Sequence, residues 1–214
     1  MKLIGVSGFS RSGKDLYATI AQKILEDVGL KTDGFALAYE LKSDLLDLIY
    51  TKTGIDVFTE YTIEKNIIRP LLVSYGDLMR KISAGTYWTD KIQDRITNSK
   101  ADVVFITDIR YDFYPDDECE WIKHKMNGQL VHITRYKLSS IPSNRRVSST
   151  KIVKIYDGAP NDHELLNNPK VKLKADYAFE WEDCSDVCEN KVDILTNKYI
   201  IDQVTKSLVA LKLL

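Results

Sequence analysis

Apolar positions along the chain fall into two rhythms. Short stretches at 2–7, 31–37, 102–107, 129–134 and 176–180 predict five strands, with 102–107 a continuous apolar run. Between them the spacing changes to i, i+4. Leu16, Ile20 and Ile24, with Ala21 and Leu25 beside them, predict a first helix. Leu41, Leu45, Leu48 and Ile49 mark a second over 38–49. Pro70 suits the first position of a third, with Leu71, Leu72, Tyr75, Leu78, Met79 and Ile82 as its apolar face and Gly85 as its stop. A fourth starts at 86–90 and faces in through Ile92 and Ile96. Trp121, Ile122 and Met126 predict another over 116–126. Ile200, Val204, Leu208 and Leu211 predict the last over 199–213. Strands alternating with helices imply a parallel sheet covered on both faces.

Two stretches break the rhythm. Residues 53–60 are polar and turn-like. Residues 136–160 are rich in serine, hold two prolines and carry Arg145-Arg146. This second stretch, extended to 164, is expected to be a mobile lid. The acidic connector at 183–197 receives no role.

The candidate chemistry starts at the first strand–helix junction. Gly8-Phe9-Ser10-Arg11-Ser12-Gly13-Lys14-Asp15 sits between strand and helix, the context of a phosphate-binding loop. Gly8 and Gly13 permit a backbone curl whose N–H groups cradle phosphate oxygens. The helix N-terminus adds partial positive charge, and Lys14 adds a full one. Gly8, Arg11, Ser12, Gly13, Lys14 and Asp15 are therefore the expected ATP-binding set. Asp15 stands where a magnesium-binding hydroxyl is usual, and its carboxylate is itself a hard oxygen ligand. Asp108, just past the central 102–107 run, is placed to hold magnesium. Arg110 follows within reach of phosphates. Arg69 and Arg80 bracket a helix, and Trp88 offers either core packing or an aromatic surface. Lys42 lies off the apolar stripe of its helix.

Composition limits the alternatives. A formal net charge of -1 gives no basic field for nucleic acid. No apolar run is long enough for a membrane span. Three cysteines give no disulfide framework, and Cys184 and Cys188 read as reduced thiols. A soluble cytoplasmic protein is expected. Homodimerisation is left open. His124 and His132 read as structural.

Taken in order, these stretches resemble the phage-type deoxynucleoside monophosphate kinases over roughly residues 1 to 180. The Gly-Lys-Asp loop, the 36–42 segment, Arg69, Leu72, Gly76 and Arg80 followed by Trp88, Asp108-Ile109-Arg110, and Asp162-His163-Glu164 before Ala175-Asp176-Tyr177 carry the likeness. It implies one P-loop kinase domain with a three-layer fold. Its sheet would hold five parallel strands, with helices on both faces. It also implies an acceptor-binding helical segment at 38–100. The reaction would move the γ-phosphoryl group of ATP, with Mg2+, to a nucleoside monophosphate. On that resemblance Lys42, Arg69, Arg80, Trp88, Arg110, His163 and Glu164 face the acceptor. Lys14, Asp108, Arg110, Arg145 and Arg146 act on the transferring group. Glu180-Trp181-Glu182-Asp183 departs from the turn usual after the last strand. The animal-type phosphomevalonate kinases share the Gly-Lys-Asp loop and are the alternative. A nucleotide-binding regulatory module is the non-enzyme alternative; no Asn-Lys-x-Asp guanine signature is present.

Overall fold

The computed structural model describes residues 1–144, 147–156, 162–183, 195 and 197–214. Five parallel strands form the centre in the order β2, β3, β1, β4, β6. They are β1 (Lys2–Ser7), β2 (Thr32–Ala36), β3 (Val103–Ile109), β4 (Gln129–Asn144) and β6 (Tyr177–Glu182). Strand β3 shows why both faces must be covered. Val103 and Phe105 point to one layer, Val104 and Ile106 to the other, and all four are buried. The first layer is α1 (Lys14–Asp27) with the C-terminal α7 (Lys198–Ala210), tied by a buried hydrogen bond of 2.8 Å between the Tyr17 and Ser207 hydroxyls. The second combines α2 (Leu37–Thr53), α4 (Tyr87–Thr97) and α6 (Asp162–Lys174) with the short α5 (Glu118–Glu120), which continues as a π-helical turn through Lys125. The three-layer arrangement agrees with the expected fold.

Three expectations need correction. The stretch expected as a lid holds regular strand structure at residues 136–144 and 147–156, which the sequence pattern did not predict. Tyr136–Asn144 of β4 pairs antiparallel with β5 (Val147–Tyr156), giving a two-stranded arm and a sixth strand. Backbone pairing between distant residues, not side-chain hydrophobicity, makes these strands, so serine content concealed them. Arg145 and Arg146 lie outside the described residues, as do Cys184 and Cys188.

The helix expected from Pro70 begins eight residues earlier, as α3 (Thr62–Ser83). Pro70 removes one helical donor. Asn66, four residues back, is exposed, so water can satisfy its carbonyl. The inward face also differs. Ile68, Gly76 and Arg80 are buried, whereas Leu71, Leu78 and Ile82 are 46%, 51% and 70% exposed. Lastly, α6 was not expected, because Pro169 interrupts a weak apolar pattern.

The last strand secures the loop between β1 and α1. Trp181 is buried, and its indole Nε1 donates to the Ser12 carbonyl at 2.9 Å. A Cβ on Gly13 would lie 2.0 Å from the same ring, and Gly13 has φ +91°. Gly13→Ala is therefore expected to destabilise by more than the ~1–2 kcal/mol of left-handed backbone alone. Urea unfolding of the two proteins checks this; equal midpoints would refute the packing argument.

Candidate active site

The loop at 8–15 takes the curled form that its glycines allow. Gly8, Arg11 and Gly13 all have positive φ, and a Cβ on Gly8 would meet the Ile133 carbonyl at 2.3 Å. Lys14 is buried and folds back over the loop, donating to the Gly8 and Phe9 carbonyls at 3.0 and 2.8 Å. Burial, reinforced by the nearby Arg110 charge, lowers its pKa to about 8. The Ser12 hydroxyl is buried without a hydrogen-bond partner among the described residues. Arg11 and Asp15 are exposed at the loop rim.

Strand β3 delivers the second component. Its pairing with β1 shifts by one residue after Thr107, and the residue passed over is Asp108, with φ +68°. Such a bulge re-aims a side chain at some cost in backbone strain. It turns the Asp108 carboxylate toward Lys14, 3.9 Å from Nζ, and toward Arg110 Nη2 at 2.8 Å. Burial raises the pKa of that carboxyl, but the Arg110 and Lys14 charges outweigh burial and hold it below the usual range. Arg110 Nη1 continues to Glu164 Oε1 at 2.7 Å, and Glu164 Oε2 accepts from the Ser10 backbone N–H at 2.7 Å. Lys14, Asp108, Arg110 and Glu164 thus alternate in sign around the loop.

A cavity of about 250 Å³ opens beside this chain of charges. Lys42, Arg69, Arg80, Trp88, Arg110 and Glu164, all expected on the acceptor side, line it together with Asp108. Leu37, Leu41, Leu72 and Val73 give it an apolar wall. His163 is not among its lining residues. Trp88 is not the open aromatic platform considered from sequence. It is 2% exposed, packed edge-on against Tyr75 and Tyr87, with Nε1 directed at the Gly76 carbonyl at 3.4 Å. Core packing holds it, so it contributes wall rather than a stacking face.

Sequence reasoning missed Asp117 and Glu118, which lie in the short helix after β3. Both are fully buried. Glu118 accepts from the Arg110 and Tyr111 backbone N–H groups at 2.6 and 3.0 Å and pairs with the Arg80 guanidinium. Asp117 accepts from the Phe113 and Tyr114 N–H groups. Arg80 also lies over the Tyr111 ring at 3.5 Å. Arg80 is thus fixed at the cavity wall by internal carboxylates. No sequence signal marks these acids, because their partners are backbone groups of a loop.

A second cavity, of about 370 Å³, lies on the β4 side of the loop, between Phe9, Ser12, Arg135, Tyr156 and Lys172. His132 faces it from β4, with Nε2 paired to Asn168 at 3.0 Å. Among the described residues, no cluster of three or more metal-binding side chains is present, and no helix is long and apolar enough to cross a membrane.

Lys14 carries a testable sign. Its pKa is about 8 in the fold against 10.5 ordinarily. Between those values the unfolded chain binds more protons, so this group favours folding increasingly as pH rises from 8 to 10.5. The stability of wild type minus that of Lys14→Met is expected to rise across that window and stay flat from pH 6 to 7. Urea unfolding at each pH measures it; a flat difference throughout would mean Lys14 is solvated.

No family model matches the chain. No curated protein matches it either. Among solved structures, shikimate kinase from Bacteroides thetaiotaomicron is similar with a TM-score of 0.45 and 13% identity, covering 99% of this chain and 98% of that one. TT1252 from Thermus thermophilus gives a TM-score of 0.41 and 12% identity, covering 98% and 96%.

Proposed function

We propose that the protein is a phosphotransferase that moves the γ-phosphoryl group of ATP to a nucleoside monophosphate, with a deoxynucleotide as the favoured acceptor. The observation that carries this is the cavity beside Asp108 and Arg110. It joins a phosphate loop at one end to arginines and an apolar wall at the other. The loop N–H groups and Lys14 take the donor phosphates. The β4-side cavity is where the donor's nucleoside fits. Arg69, Arg80 and Arg110 suit the acceptor phosphate, since guanidinium forks match its oxygens. The wall formed by Leu37, Leu41, Leu72 and Val73 suits a base better than the hydroxyl and carboxylate of phosphomevalonate.

The carboxylates bear on the type of acceptor. Asp108 and Glu164 are hydrogen-bonded to Arg110, and Glu118 to Arg80. A hydroxyl acceptor needs a base to take its proton. A phosphate monoester with its second pKa near 6 already presents an anionic oxygen at neutral pH. Positioning and charge neutralisation then suffice. The donor set fits magnesium as it is usually held, by one or two carboxylates plus the substrate phosphates. Asp108 and Asp15 would hold it, and the orphaned Ser12 hydroxyl lies in the same loop. When bound, the ion neutralises phosphate charge.

ADP formation over a panel of deoxynucleoside monophosphates, ribonucleoside monophosphates and phosphomevalonate tests the reading. Turnover with a deoxynucleotide is expected, abolished in Lys14→Ala and reduced about 10²–10³-fold in Asp108→Asn. Turnover with phosphomevalonate alone would overturn the acceptor assignment. Nucleotide binding with no acceptor-dependent turnover would favour a regulatory module.

A further inference from the structure

We propose that Glu164 couples the two substrates energetically, because one carboxylate holds a binding group from each side of the site. The inference rests on the kinase reading above. Glu164 is 8% exposed and lies in the first turn of α6. Its Oε2 accepts from the Ser10 N–H, a donor of the phosphate loop, at 2.7 Å. Its Oε1 accepts from Arg110 Nη1, at the acceptor cavity, at 2.7 Å. Both groups are anion binders, and both are engaged by the same internal anion.

The consequence follows from charge. A phosphoryl oxygen that takes the Ser10 N–H removes one anchor of the carboxylate and places negative charge beside it. Like charges at contact distance disfavour each other. Glu164 is driven from Arg110 as well, and Arg110 keeps Asp108 through Nη2. Nη1 is then free for an acceptor phosphate. Run in the other order, an acceptor that claims Nη1 loosens Glu164 from Ser10 and opens the loop to the donor. Each ligand thus meets part of the displacement cost for the other. The coupling is reciprocal, as equilibrium linkage requires.

This predicts a signature that a simple acceptor ligand would not give. Removing Glu164 leaves the Ser10 N–H and Arg110 Nη1 without their internal competitor. Each substrate alone then binds more tightly, and the gain from the second disappears.

Isothermal titration calorimetry on the full chain tests it. The probes are a non-hydrolysable ATP analogue with magnesium and a deoxynucleoside monophosphate, each alone and each with the other saturating. In wild type the second ligand is expected to bind about 5–150-fold more tightly than it does alone, the usual range of such coupling. In Glu164→Gln and Glu164→Ala each ligand alone should bind several-fold more tightly, with a coupling factor near one. Glu164→Asp keeps the charge but shortens the reach. It should also lose coupling, which covers the case in which the other two fail to fold. Unchanged coupling in the variants would overturn the proposal. So would weaker acceptor binding with donor affinity unaltered, which would make Glu164 an acceptor ligand. If wild type binds both ligands independently, the coupling fails while the kinase reading stands. If it binds neither, both fail.

Discussion

A dehydrated lysine governs how this site is put together. Lys14 stands at the start of α1, buried, with its ammonium bonded to two loop carbonyls. Burying a charge is costly unless opposite charge is supplied nearby. Asp108 supplies it, at 3.9 Å, but only because the β3 backbone breaks register and takes a left-handed conformation there. Asp108 in turn requires Arg110, and Arg110 requires Glu164 from a helix 54 residues further on. A side chain of α6 is thus linked, through Arg110 and Asp108, to the charge on one loop residue.

The same logic organises the cavity wall. Arg80 is buried on the inward face of α3 and would be intolerable alone. Glu118 and Asp117 compensate it, and their remaining oxygens hold backbone N–H groups of the segment after β3. Arg80 and the backbone of Arg110 are therefore located by one carboxylate. A wall built this way presents its guanidinium groups at fixed spacing, as the proposed phosphoryl transfer would require.

What the chain's pattern revealed depended on whether the determining interactions are local. The curled loop is contiguous, so residues 8–15 announced it. The placement of Asp108 and Arg110 followed from the rule that open parallel sheets bind ligands beyond their strand ends. The central strands were legible because burial on both faces leaves nearly unbroken apolar runs. The arm was not, since its serines and a proline carry no apolar strand pattern and its pairing is set by backbone hydrogen bonds between two segments. The true start of α3 was hidden because Pro70 suits a first helical position, yet here stands inside a longer helix whose carbonyl at Asn66 is left to water. Trp88 read equally well as platform or core, and only its contacts with Tyr75 and Tyr87 decide for core. Asp117 and Glu118 lay in plain view, yet nothing in their spacing says that they neutralise an arginine 37 and 38 residues earlier.

A site with such internal pairing works by exchange rather than by attraction. The cavity beside Asp108 and Arg110 is lined by four cations, Lys42, Arg69, Arg80 and Arg110, and by three carboxylates, Asp108, Glu118 and Glu164. In a chain of net charge -1 it offers no broad positive field to draw in any polyanion. An anion gains there only if it matches the hydrogen bonds that it displaces. A ligand with one phosphate at the wrong distance breaks an existing pair and leaves a carboxylate stranded, which costs more than it returns. A ligand that satisfies Arg110 and the loop amides together takes over the Ser10 N–H and the Arg110 Nη1 that Glu164 holds. Discrimination thus comes from the internal anions. The same reasoning explains how an acidic residue, Asp15, is tolerated at the loop rim. It is exposed at the rim, so water solvates its charge, which adds only a minor attraction to Lys14.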